Sequence, residues 1–190
     1  MANSDRPNGF TPIGMLDGSK IPVEIAAINS AGSNIFIGDV VSVKSGGDLD
    51  AATADDANIV YGVVVGIVDE NKVPAGHPNS TISTKYLPSG DTGFLLVALA
   101  LPGAKFRVQA STGTALAATD RFACANHVAG TGSTTTGRSG HELNSTVVTG
   151  SAAQCCILDK VDEPGNDWGA HVDLVVTFNE SYFVGGVNGV

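Results

Sequence analysis

The residues best suited to chemistry are few and lie far apart. His77, His127, His141 and His171 are isolated, with no second ligand at a helical or tight-turn spacing, whereas a zinc site needs three or four converging donors. His141-Glu142 is the nearest approach to a metal pair, and it supplies only two ligands. Ser139 stands in Gly137-Arg138-Ser139-Gly140-His141, where the Gly-x-Ser-x-Gly spacing of a nucleophile elbow is missed because Gly140 follows the serine directly. Residues 130–140, built of glycine, serine and threonine around Arg138, carry groups that cradle anions. They lack the Gly-Lys-Ser/Thr close of a phosphate loop and the apolar strand that should lead into one, so they read as a solvated loop. Asp48, Asp50, Asp55 and Asp56 form an acidic loop that could hold calcium weakly, without the alternation or closing glutamate of an EF-hand. The expectation is no catalytic residue, no metal and no cofactor.

The cysteines point the same way. Cys155 and Cys156 are neighbours in an apolar strand pattern, so their side chains face opposite ways and a bridge between them is disfavoured. Together with Cys124 they read as unbridged thiols of a reducing compartment, and an apolar setting makes a thiol hard to ionise.

Charge narrows the partners. Nineteen acidic against ten basic residues give a net charge of −9, and the basic residues are spread along the chain. Such a chain is repelled by phosphate backbones, so direct nucleic-acid binding is disfavoured. Residues 1–6 hold no apolar signal region, and the longest apolar run, 94–102, is too short to span a bilayer, so no membrane partner is expected.

The elements that would position these residues are strands. Hydrophobic content of 43% with 24 glycines and 15% charged residues favours short strands and turns over helices. Residues 35–43 and 59–68 are β-branched runs with internal glycines, the mark of a bulge or a close backbone approach, and suggest paired core strands of a bent, barrel-like sheet. Further strands are expected at 23–28, 94–101, 104–109, 146–149, 154–161 and 171–179, a short one near 81–86, and a turn at Gly150-Ser151. In 104–109 the alternation buries Phe106 and Val108; in 171–179 it buries Val172, Leu174, Val176 and Phe178. The one expected helix is 115–125, capped by Thr119 or Asp120 and carrying Phe122 and Cys124.

The fold class is therefore all-β: a small bent β-barrel or sandwich of short strands with long loops and at most one or two short helices. Residues 1–22 read as an extended arm, since Pro7, Pro12 and Pro22 preclude a helix and disfavour a central strand. Residues 23–184 form one β-rich domain with loop-rich insertions near 69–93 and 126–145, and 185–190 a glycine-rich tail. Phe10, Pro12, Ile13, Met15 and Leu16 give the arm apolar anchors, for a neighbouring subunit or for its own domain. Trp168, the lone tryptophan, suits a core lid or an interface anchor.

Three stretches carry a family resemblance. Residues 2–14, from Ala2-Asn3-Ser4-Asp5-Arg6-Pro7 to Pro12-Ile13-Gly14, resemble the start of small virion structural proteins of tailed bacteriophages. The run 131–140, followed by Leu143 and the 158–168 strand and turn, resembles the same group. Ile37-Gly38-Asp39-Val40-Val41 with Gly62-Val63 is similar to barrel-type head decoration (cement) proteins. The resemblance implies a non-enzymatic capsid protein made in the host cytoplasm and carried on the outer surface of the virion head. Its implied partners are the major capsid protein and itself, as a homo-oligomer that is commonly a trimer. A tail or head–tail connector component is the alternative in the same setting. A carbohydrate-binding β-module is the alternative of another class, although 6% aromatic residues leave it without a row of stacking rings.

Overall fold

Branched apolar side chains favour extended backbone, and this chain builds strands wherever they cluster. The computed structural model describes residues 3–44, 46–53, 59–148 and 153–183. In chain order the strands are β1 (Thr11–Met15), β2 (Val23–Ile28), β3 (Val40–Val43), β4 (Leu49–Ala51), β5 (Val60–Val68) and β6 (Gly93–Leu99). After them come β7 (Ala104–Gln109), β8 (Cys124–Ala125), β9 (His127–Val128), β10 (Glu142–Leu143), β11 (Cys155–Lys160) and β12 (Asp173–Phe178). They form two five-stranded antiparallel sheets, ordered β1-β7-β12-β11-β8 and β2-β6-β5-β3-β4, with β9 and β10 as a small ribbon. The architecture is an all-β sandwich, and neither sheet closes into a barrel.

The main core lies between the sheets. Phe106, Val108, Leu174, Val176 and Phe178 from the first sheet meet Val40, Val60, Val63 and Ala98 from the second. A second core covers the outer face of the second sheet, where Val41, Val64, Ile67, Leu95 and Val97 lie under Ile35, Ile82 and Leu87 from the loops. Burial on both faces is why β5 reads as a nearly unbroken apolar run. Its glycines have separate tasks: a Cβ at Gly62 would strike the Ala98 carbonyl, and the register with β6 shifts between Val64 and Gly66.

The insertion before β6 is pinned by one carboxylate. Asp69 accepts N–H bonds from Asn71, Val73 and Thr81 at 2.8–2.9 Å, satisfying backbone that has no ladder partner. In place of the short strand expected at 81–86 there is a single bridge, in which Leu87 and Ile35 exchange N–H···O bonds of 2.9 Å. The helix expected over 115–125 reduces to a 3-10 turn, Ala118–Asp120, the only helical element among the described residues. The N-cap position is Ala117 and not Thr119 or Asp120; Asp120, the last residue of the turn, reaches back to accept from the Ala117 N–H at 2.7 Å, and Phe122 at φ +66° turns the chain out of any helix. Of the strand expected at 146–149, only a bridge from Val148 to Cys124 is present. Thr149, the Gly150-Ser151 turn and the 185–190 tail lie outside the described residues.

Of the two surfaces open to the N-terminal segment, a neighbour's or its own domain's, the second is the one seen: β1 pairs with β7, and Phe10 is buried, stacked 5.6 Å from Phe178. Pro12 is tolerated because β1 is an edge strand with a register shift between Pro12 and Gly14, the setting in which a missing N–H costs no ladder bond. The cysteine expectation is overturned: the three are not all free. Antiparallel pairing sets Cys124 of β8 opposite Cys156 of β11, and the two form a disulfide, leaving Cys155 as the free buried thiol. Adjacency keeps Cys155 and Cys156 on opposite faces, as expected, and thereby turns Cys156 towards Cys124.

Candidate interface on the two edge strands

An edge strand has one hydrogen-bonded neighbour and presents unpaired backbone groups on its other side. Here β1 ends the first sheet and β2 ends the second, so the chain between them passes from one sheet edge to the other. From residue 11 to residue 27 only Ile21 is buried. Four large apolar side chains in this stretch face solvent: Ile13 (51% exposed), Leu16 (65%), Val23 (50%) and Ile25 (57%). Pro12, Ile13, Ile21, Val23 and Ala98 line one shallow cleft of about 190 Å³ that joins the two strands.

The register explains why this surface is apolar. Val23 pairs with Ala98 and Ile25 with Leu96, and paired residues of antiparallel strands share a face. Ala98 belongs to the core between the sheets, so Val23 and Ile25 continue that inner face past the point where the first sheet covers it. On the opposite face Glu24 is held by the Tyr61 hydroxyl, which donates to it at 2.8 Å. A strand with an apolar inner face and no cover is half of a packed layer.

The six residues expected at an interface separate accordingly. Ile13 is exposed beside Val23 in the shared cleft, Pro12 is half-buried there, and Leu16 is exposed in the turn after β1. Met15 is half-buried against the domain's own core. Phe10 is 1% exposed and belongs to that core, so in this fold it cannot anchor a neighbour. Trp168 is a half-buried lid on the same core, with the Arg121 guanidinium 5.7 Å from its ring centre. Sequence reasoning missed Val23 and Ile25. Their alternation with Glu24 was visible, but it cannot distinguish a covered face from an uncovered one.

The polar residues weighed for chemistry fall into two groups. His141 (4% exposed) and Asp39 (2%) are buried together, His141 Nε2 lying 3.5 Å from Asp39 Oδ1. Asp39 Oδ2 accepts from the Phe36 N–H at 2.7 Å, and His141 Nδ1 accepts from the Val40 N–H at 3.2 Å. Burial pushes Asp39 up to about 6; burial and the nearby His127 push His141 down to about 3. His127 is also lowered by burial, its ring nitrogens 2.8 Å from Gln154 Oε1 and 3.1 Å from the Ala52 carbonyl. Ser139 Oγ accepts from the His141 N–H at 2.9 Å. The His141 lone pair is occupied by Val40 and does not face Ser139, so these residues do not form a nucleophile–base pair. Asp39 and His141 line a cleft of about 350 Å³ whose walls include Phe36, Ala52 and Thr131. The loop 130–140 is only partly solvated: Thr131 and Ser133 to Thr136 are exposed, whereas Gly137, Ser139 and Gly140 are buried against 35–38 through Ile37 N–H→Gly137 O and Ser139 N–H→Ile37 O bonds.

The second group is a convergence of metal-ligating atoms. Asp5, Glu142 and His171 bring one donor atom each within 4.8 Å of one another. His141 and Glu142 are adjacent in sequence yet face different surroundings, so that pair is not a site. In the acidic loop, Asp50 pairs with Lys44 and accepts from Ser33, and Asp48 accepts from Asn29 at 3.0 Å; Asp55 and Asp56 lie outside the described residues. No helix among the described residues is long and apolar enough to cross a membrane. Compared with protein-family models and with curated proteins, the chain matches none.

Proposed function

We propose that this chain is a non-enzymatic structural protein of a tailed-bacteriophage virion, which self-associates through the β1–β2 face and decorates the outer surface of the head. The observation that carries the self-association is the uncovered inner face of β2, continued by Ile13 of β1, with Leu16 exposed in the turn that follows. Completing the burial of Ile13, Leu16, Val23 and Ile25 is worth about 1 kcal/mol each, or about 4 kcal/mol per copy before the costs of association. That is modest for one contact, but a ring repeats it at every junction, and attachment to a capsid lattice adds avidity. A second copy is the occupant favoured here because each chain offers two adjacent free edges of different sheets. Contact between the β1 edge of one copy and the β2 edge of another is heterologous, and such contacts form a ring where the rotation between copies closes; the trimer is the form the resemblance implies. The capsid assignment rests on the same resemblance, with the major capsid protein as partner.

Native mass spectrometry of the purified chain should show a trimer, and L16D and I25D should give monomers with an unchanged β-type circular dichroism spectrum. The unaltered protein should sediment with full phage heads, and the monomeric variants should bind them at least tenfold more weakly. A wild-type chain that stays monomeric at micromolar concentration overturns the self-association. Binding confined to tails or connectors would move the role to that part of the particle. Binding to a glycan array but not to heads would favour the carbohydrate-binding alternative.

A further inference from the structure

Segment 3–10 crosses the first sheet and is held there by polar contacts. Asn3 Nδ2 donates to the Asp167 and Ala170 carbonyls at 2.7 and 2.9 Å, and the Arg6 N–H donates to Gln109 Oε1 at 2.7 Å. Between these two anchors lies Asp5. Its Oδ1 is 3.7 Å from His171 Nδ1, and Glu142 of β10 completes the set within 4.8 Å. His171 Nδ1 and the Glu142 oxygen Oε1 are shut off from solvent and have no hydrogen-bond partner. Unpaired buried polar atoms are rare in native folds, because each forfeits its hydration with nothing in return. Here two of them converge on the same third ligand.

We infer that Asp5, Glu142 and His171 form a binding site for a first-row divalent cation of the zinc type, which fastens segment 3–10 to β10 and to the start of β12. Two carboxylates and one imidazole match the donor preferences of zinc and its first-row neighbours, whereas calcium prefers a shell of oxygens alone. An ion about 2.0–2.2 Å from each donor places neighbouring donors roughly 3.0–3.6 Å apart. The His171–Asp5 separation of 3.7 Å is already close to that range, Glu142 offers an oxygen within 4.8 Å of both, and Asp5 is the exposed member of the three. Three protein donors leave a position for water. The site stands independently of the virion assignment, since it depends on neither the β1–β2 face nor a partner.

The test uses the full chain, stripped with chelator and titrated at neutral pH with zinc chloride alone. One ion per chain is expected by native mass spectrometry and calorimetry, with a rise in melting temperature. Losing a group that merely hydrogen-bonds to a ligand costs metal sites roughly 10–100-fold, so removing a ligand itself in E142Q or H171N should weaken binding by at least that. D5N, at an exposed position, provides a variant that leaves the core untouched and should weaken binding in the same direction. Should either buried-site variant fail to fold, histidine-ring NMR of the unaltered protein decides: zinc should shift the Nδ1 resonance of His171 and leave His127 and His141 in place. Absence of a bound ion, affinity in D5N, E142Q and H171N equal to that of the unaltered protein, or a shift confined to His77 overturns the site. Those outcomes would leave the three residues as a plain histidine–carboxylate ion pair.

Discussion

Asp39 and His141 show how burial sets two ionisable groups against each other. A proton on Asp39 is favoured in the folded chain from about pH 6 downward, but in the unfolded chain only near its ordinary value of about 3.8. Its contribution to stability is therefore present below 3.8 and lost as pH rises through 6. His141 has the opposite sign. Folded, it resists protonation down to about 3, while the unfolded histidine takes a proton near 6.5, so its contribution is present above 6.5 and lost as pH falls toward 3. His127, lowered by burial as well, acts in the same direction as His141. Two histidines outweigh one carboxyl, so the urea midpoint should fall between pH 7 and pH 4. In D39N the opposing carboxyl is gone, and the fall should be steeper. Parallel pH profiles for D39N and wild type would mean that Asp39 titrates like an exposed carboxylate.

The disulfide acts on an element, tying the two-residue β8 to β11 at the margin of the first sheet. A strand of two residues has little ladder of its own, and its further support comes from the bridge of Cys124 to Val148 and the bonds of Phe122 and Ala123 to Ile157. Alkylation of the unfolded protein without reductant should label one cysteine, Cys155; after reduction all three should react. Three labels before reduction would restore the free-thiol expectation. With 32 residues separating the pair, the double variant C124A/C156A should lose about 3–4 kcal/mol on the chain-entropy account, read as a lower urea midpoint. Cys155 should stay inert to thiol reagents in the native state, since it is fully buried and its thiol is pushed well above the ordinary range by desolvation.

The N-terminal segment decides how the domain holds together as one body. It supplies an edge strand to the first sheet, a ring to the central core, and the hydrogen bonds of Asn3 and Arg6 across the surface of that sheet. Deleting residues 1–16 should therefore destabilise the domain itself rather than leave a folded body that has merely lost an anchor. F10A alone should cost about 3–5 kcal/mol, because Phe10 fills space between Phe178 and the second sheet that no neighbour can reclaim. L16D, on the exposed end of the same segment, should leave monomer stability within about 0.5 kcal/mol of wild type. If F10A were as stable as L16D, the segment would not be part of the core.

Much of the fold was legible in the chain because strand formation is a local affair. The alternation of Phe106 and Val108, or of Val172, Leu174, Val176 and Phe178, names its own buried face, and all six are buried. The glycines within 59–68 announced the close approach at Gly62 and the bulge beside Gly66, since only a missing Cβ permits the first. What lies across from a strand is not local. Cys124 meets Cys156 over 32 residues, and Asp5 meets Glu142 and His171 over more than a hundred, so no spacing rule could pair them. Apolar spacing in residues 10–16 marked side chains that need a surface, but could not say that Phe10 finds it within the chain while Ile13 and Leu16 do not. Sequence periodicity determines which face of a strand is apolar. Only the packing of one sheet on the other determines whether that face is covered, because cover depends on where the opposing sheet ends.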